Sequence, residues 1–149
     1  MIITKRTNSE NKDFQALAAE LEAELAIRDG DNHVFLAQVN RIHALNYVVV
    51  AYNGDEPVGC GAMREYSGDT MEVKRMFVPS GHRRKGIASQ LLTELERWCV
   101  ELGFTNCVLE TGRNQPEAIA FYQRHNFKTI PNFGQYFDVA NSVCFEKRL

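Results

Sequence analysis

Two periods of apolar residues alternate along this chain, and the switches between them outline its elements. Residues 2–6 read as a first strand. From Asp13, or just before it, Phe14, Leu17, Leu21 and Leu25 form one stripe at helical spacing, which Arg28, Asp29, Gly30 and Asp31 interrupt. Residues 34–45 are read as a short second helix. Residues 46–52 and 57–66 then read as strands around Asn53, Gly54, Asp55 and Glu56, a hairpin signal, and residues 70–78 continue the meander. A long helix from Gly86, a strand over 106–111, a helix over 115–125, a short strand from Phe127, a loop over 131–141 and a last strand near 143–147 complete the order.

The segment from Met71 to Leu102 carries the most chemistry. Val73, Met76, Phe77 and Val78 favour a strand, and Pro79, Ser80 and Gly81 stop it. Ile87, Leu91, Leu95, Trp98 and Leu102 recur at helical spacing until Gly103 ends the run. A strand, a turn and a helix in that order aim free backbone N–H groups and the positive end of a helix dipole at whatever anion occupies the turn. Within it Arg83, Arg84 and Lys85 supply charge, and the small Gly86 and Ala88 leave the backbone amides accessible. The segment reads as a diphosphate cradle. It is neither a P-loop, since no Gly-Lys-Ser/Thr follows four spacers, nor a dinucleotide fingerprint, since the three glycines are missing.

Composition narrows the classes further. With 149 residues, 44% of them hydrophobic, the chain suits one domain over its whole length. Seventeen Lys plus Arg against nineteen Asp plus Glu give a net charge of -2, so no global field favours nucleic acid or an anionic membrane, and the local basic cluster suits a small anionic ligand. The longest apolar run, residues 47–52, is too short to span a bilayer, and the first residues lack the apolar core of a signal peptide, so a cytoplasmic protein is expected. Cys60, Cys99, Cys107 and Cys144 are widely spaced within apolar patterns and read as buried thiols. Neither they nor His33, His43, His82 and His125 have metal-ligand spacing, and no metal is assigned.

Arg83, Gly86 and Ala88, with two residues and then one between them, resemble the Arg/Gln-x-x-Gly-x-Gly/Ala signature of the GNAT superfamily of N-acetyltransferases. Downstream, Ala118, Phe121, Tyr122 and Phe127 are similar to its second motif, a helix ending in an aromatic-Tyr pair followed by Gly-Phe. Here Asn126 replaces the Gly, and Asn is the next-best residue for a left-handed helix stop. The resemblance spans essentially the whole chain. It implies an α/β (α+β) GNAT fold: a mixed, mostly antiparallel sheet of six or seven strands, helices on both faces, and central strands that splay apart around acetyl-CoA.

The same resemblance implies the site. Backbone groups of Met76, Phe77 and Val78 would face the pantetheine arm, and Arg83, Arg84, Lys85, Gly86, Ile87, Ala88 and Ser89 the diphosphate. Phe121 belongs to the same lining, together with Asn114 or Gln115, because the family's Asn seven residues before the Tyr is here Gln115. Tyr122 would protonate the departing thiolate. Glu72 and Glu110 compete as the base; Glu72 takes slight precedence, since strand alternation puts it on the face of Met76 four residues on. The acceptor would be a small primary amine or an amino-acid-like molecule, read by the first helices and by a loop holding Asn132, Phe133, Gln135, Tyr136, Phe137 and Asp138. A peptide amine acceptor, a non-catalytic acyl-CoA sensor and a homodimer stay open.

Overall fold

The computed structural model describes residues 1–29 and 44–149. Among these residues seven strands and three helices follow in the order β1 (Ile2–Thr7), α1 (Lys12–Asp29), β2 (Tyr47–Asn53), β3 (Glu56–Ser67), β4 (Thr70–Phe77), α2 (Ile87–Glu101), β5 (Asn106–Gly112), α3 (Pro116–Arg124), β6 (Lys128–Ile130) and β7 (Ser142–Arg148). The helix expected over 34–45 lies outside the described residues except for its last two positions, Ala44 and Leu45, which are not helical. Single 3-10 turns cover Ser80–His82 and Gly134–Tyr136.

All seven strands form one sheet in the order β1-β2-β3-β4-β5-β7-β6. Every neighbouring pair is antiparallel except β4 and β5. Both faces are covered, so β2 reads as a continuous apolar run rather than an alternating one. Its Val49 and Ala51 join the core under α2, while Val48 and Val50 join a second core under α1 with Phe14 and Leu17. The Asn11 side chain caps α1 by accepting the Phe14 N–H at 2.9 Å.

Helix α2 lies close to the sheet because β3 presents glycines to it. A Cβ on Gly59 would meet Ile87 and Leu91 at 3.0 Å, and one on Gly61 would meet Leu95 at 2.9 Å. Ile87, Leu91, Leu92 and Leu95 are thereby fully buried, each contributing about 2 kcal/mol of apolar transfer. Gly103 ends α2 at φ 91° and Asn126 follows α3 at φ 71°, so the asparagine takes the left-handed stop that its place in the sequence predicts.

The pairing of β4 with β5 runs only from Thr70 opposite Asn106 to Val73 opposite Leu109. Beyond that point β5 continues along β7 and β4 continues along β3, and the two parallel strands part. The expected splay is therefore present, and it leaves backbone groups of the last β4 residues without a ladder partner on the β5 side.

Strand β4 is also bulged. Two steps along β3, from Cys60 to Ala62, stand opposite three along β4, from Phe77 to Lys74, and Arg75 inside that interval has a φ of 59°. The extra residue reverses the alternation. Met71, Val73, Met76 and Val78 pack toward α2, whereas Phe77 joins the core under α1. Glu72 and Met76 consequently lie on opposite faces, which corrects the expectation that alternation would place them together. Gly61 makes the bulge sterically feasible, since the Met76 sulfur sits 2.5 Å from where a Gly61 Cβ would be.

Candidate active site

A cleft of about 450 Å3 opens where β4 leaves β5, and it gathers residues from four parts of the chain. Met76, Phe77 and Val78 form one wall, and Arg83, Arg84, Gly86, Ile87, Ala88 and Ser89 form the floor at the start of α2. Gln115, Phe121 and Tyr122 close the far side. Twelve of the residues singled out in the sequence thus share one cavity. Lys85 is exposed outside its lining, and Glu72 and Glu110 lie outside it as well.

The floor has the geometry of an anion cradle. Arg84 and Gly86 both take left-handed φ, 64° and 80°, and Gly86 caps α2 with open space where a Cβ would stand. The Gln90 N–H bonds the Gly86 carbonyl at 3.1 Å. The N–H groups of Ile87, Ala88 and Ser89 before it have no carbonyl four residues back within the helix, and they carry the positive end of its dipole. Arg83 has a different task. Its Nε donates to the Val78 carbonyl at 2.7 Å, and its guanidinium meets both oxygens of Glu24 at 2.9 and 2.7 Å, which ties the turn to α1. Arg84 and Lys85 supply the exposed cations.

Of the two amides that compete for the family's Asn position, Gln115 lines the cleft, whereas the Asn114 oxygen lies 2.7 Å from the position of a Gly112 Cβ. Tyr122 is buried among Phe121, Phe127 and Phe145, with ring centroids 5.1 to 6.2 Å away. Its side chain contributes to the cleft. Burial, and secondarily the Glu110 carboxylate, push its pKa above the ordinary phenol value, so the proton is held at neutral pH.

The two carboxylates sit on the other face of the sheet. Glu72, 1% exposed, accepts from Arg64 Nε at 2.9 Å and from the Tyr136 hydroxyl at 2.8 Å, and Lys74 Nζ stands 3.6 Å away. Lys74 also donates to the Tyr136 hydroxyl at 3.1 Å, and desolvation lowers its pKa, partly countered by Glu72. Glu110, half-buried, accepts the Ser142 hydroxyl at 2.6 Å. Tyr136, read from the sequence as an acceptor contact, is thus a buried anchor for Glu72. In the same loop Phe133 stacks edge-on against Tyr66 at 5.1 Å, and Phe137 is 73% exposed.

Sequence reasoning missed Leu21, Leu25 and Glu24, which bring α1 to the cleft, and His82, Glu117 and Arg124. The α1 stripe contained a signal. Phe14 and Leu17 are core residues, whereas Leu21 and Leu25, one and two turns later, overhang the cavity.

Residues 9–127 match the family model described as acetyltransferase (GNAT) family. The chain is 34% identical over 119 residues to the IAA acetyltransferase of Azospirillum brasilense, covering 79% of this chain and 77% of that one. A Klebsiella pneumoniae structure described as an acyl-CoA N-acyltransferase superposes with a TM-score of 0.84 at 27% identity, covering 100% of this chain and 98% of the other. The fold also matches a GNAT acetyltransferase from Elizabethkingia anophelis with acetyl-CoA bound, at a TM-score of 0.72 and 16% identity, covering 99% and 98%.

Proposed function

From the premise that this chain belongs to the GNAT acetyltransferase family, we propose that it moves an acetyl group from acetyl-CoA to the primary amine of a small or amino-acid-like acceptor. The observation that carries the proposal is the meeting of the α2 N-terminus and the Tyr122 side chain in one cleft. The donor fits the residues present: amides and the Arg84 cation suit a diphosphate, and Met76, Phe77, Val78 and Phe121 suit its pantetheine arm.

Acetyl-CoA supplies the acetyl group as a thioester. The unladdered edge of β4 would hold the arm, and an N–H there would stabilise charge on the carbonyl oxygen as the amine attacks. As the carbon–sulfur bond breaks, Tyr122 gives its proton to the sulfur. The proton lost by the amine passes to a carboxylate through water. Glu110 fills that role better than Glu72, because Glu72 is almost fully enclosed and its oxygens already serve Arg64 and Tyr136. A small acceptor is favoured by the loop between β6 and β7, where Phe133 and the exposed Phe137 offer apolar contact and Asp138 a single acid.

A panel of amines, amino acids and peptides incubated with acetyl-CoA tests the proposal through release of free thiol, with a thermal-shift control. Thiol release with at least one small amine is the expected result. A cofactor-induced shift without thiol release from any member, peptides included, would make the chain an acyl-CoA sensor.

A further inference from the structure

Ser89 is the third residue of α2, and its hydroxyl oxygen lies 3.0 Å from Nε2 of His125, the residue after α3. The His125 ring also packs against Phe121, with centroids 4.5 Å apart. Ser89 and Phe121 both line the cleft, so the histidine stands one hydrogen bond behind its floor.

A hydroxyl has one proton to give. Facing a neutral imidazole whose Nε2 carries no hydrogen, Ser89 spends that proton on the ring. A phosphate oxygen only accepts, so contact with it requires the hydroxyl to turn and donate toward the cleft, and Oγ then accepts from an Nε2–H behind it. That reversed chain needs a proton on Nε2, and the nearby diphosphate charge favours the imidazolium over a change of tautomer.

We propose that His125 is a positioning residue for the donor's diphosphate, aiming the Ser89 hydroxyl at it and taking up a proton as it binds. The inference rests on the reading of the α2 N-terminus as the diphosphate cradle. It draws support from the charges around the ring. Desolvation lowers the pKa of His125, Lys147 on β7 and Arg124 on α3 lower it further, and Glu96 on α2 opposes them. Without the ligand the ring is therefore neutral at pH 7, and the diphosphate adds the charge that reverses the balance. Affinity should rise as pH falls from above the bound pKa toward the free one.

Calorimetric titration with dephospho-CoA tests this, since that probe keeps the diphosphate and lacks the phosphate monoester that itself titrates near pH 6. Between pH 8 and pH 6 its affinity for the wild-type chain should rise about 2- to 5-fold, the part of a half to one unit of pKa rise that is expressed before the free imidazole is itself protonated. Buffers of different ionisation enthalpy should report net proton uptake at pH 7. In His125→Gln the amide can donate to Ser89 at every pH, so binding should be retained with a flat profile. Ser89→Ala should weaken binding and make the profile shallower, which keeps the test open if the histidine variant misfolds. A flat wild-type profile, or a slope undiminished in Ser89→Ala, overturns the role of His125 and leaves the cradle standing. Absence of any binding by the wild-type chain removes both.

Discussion

The Glu72 carboxylate accepts the Tyr136 hydroxyl at 2.8 Å across 64 residues of sequence, and so fastens the loop before β7 onto the underside of β4. Arg64 and Lys74 converge on the same carboxylate at 2.9 and 3.6 Å. Removing one partner of a buried pair leaves uncompensated charge, at a cost of about 3 to 5 kcal/mol. Glu72→Gln is therefore expected to lower stability by roughly 3 kcal/mol in urea unfolding, while the acidic limb of the pH–rate profile keeps its shape. Glu110→Gln should lower turnover about 100-fold, the scale of lost base catalysis, and flatten that limb. The opposite assignment of the two effects would return the base to Glu72.

Tyr122→Phe removes a single oxygen from the cleft. Turnover should fall about 100-fold with acetyl-CoA affinity nearly intact, as measured by steady-state kinetics beside calorimetry. Undiminished turnover would mean that water protonates the thiolate.

Tyr122 and Tyr136 both have pKa values raised above 10, primarily by desolvation. An acid that holds its proton longer when folded contributes stability that is complete below the unfolded pKa and is lost as pH rises through and beyond 10. Stability followed by chemical denaturation is expected to fall steeply between about pH 10 and pH 12, and Tyr122→Phe should make the fall shallower. Parallel slopes in the two proteins would contradict the burial of the phenol.

Gly86 turns the chain into α2 at φ 80°. A side chain there meets open space, so Gly86→Glu is expected to fold with a strain of about 1 to 2 kcal/mol and to place bulk and negative charge over the α2 amides. Acetyl-CoA should then no longer raise the melting temperature. Retention of the full thermal shift would remove the diphosphate from this turn.

Gly61→Ala places a methyl 2.5 Å from the Met76 sulfur and 2.9 Å from Leu95. Overpacking of this kind costs about 1 to 3 kcal/mol. Met76→Ala should relieve part of it, so the double variant should be more stable than the sum of the two single losses implies, and a double-mutant cycle measures the difference. Strict additivity would show that Met76 does not fill the space above Gly61.

The sequence by itself determined the elements of the described residues, the turn that opens α2 and the family. Helical and strand periods are local, and so are the left-handed stops at Gly103 and Asn126 and the small residues Gly86 and Ala88 that open a helix N-terminus. Neighbours within a few residues fix such features. Only the tertiary structure decided which side chains meet. One inserted residue at Arg75 moved Met76 to the face opposite Glu72, because strand alternation carries no memory across a bulge. The pairing of Arg83 with Glu24, the fastening of Glu72 by Tyr136 and the bond from Ser89 to His125 join positions 59, 64 and 36 residues apart. Those distances are closed by the packing of α1, the β6–β7 loop and α3 against the sheet, and a local pattern has no means of recording them.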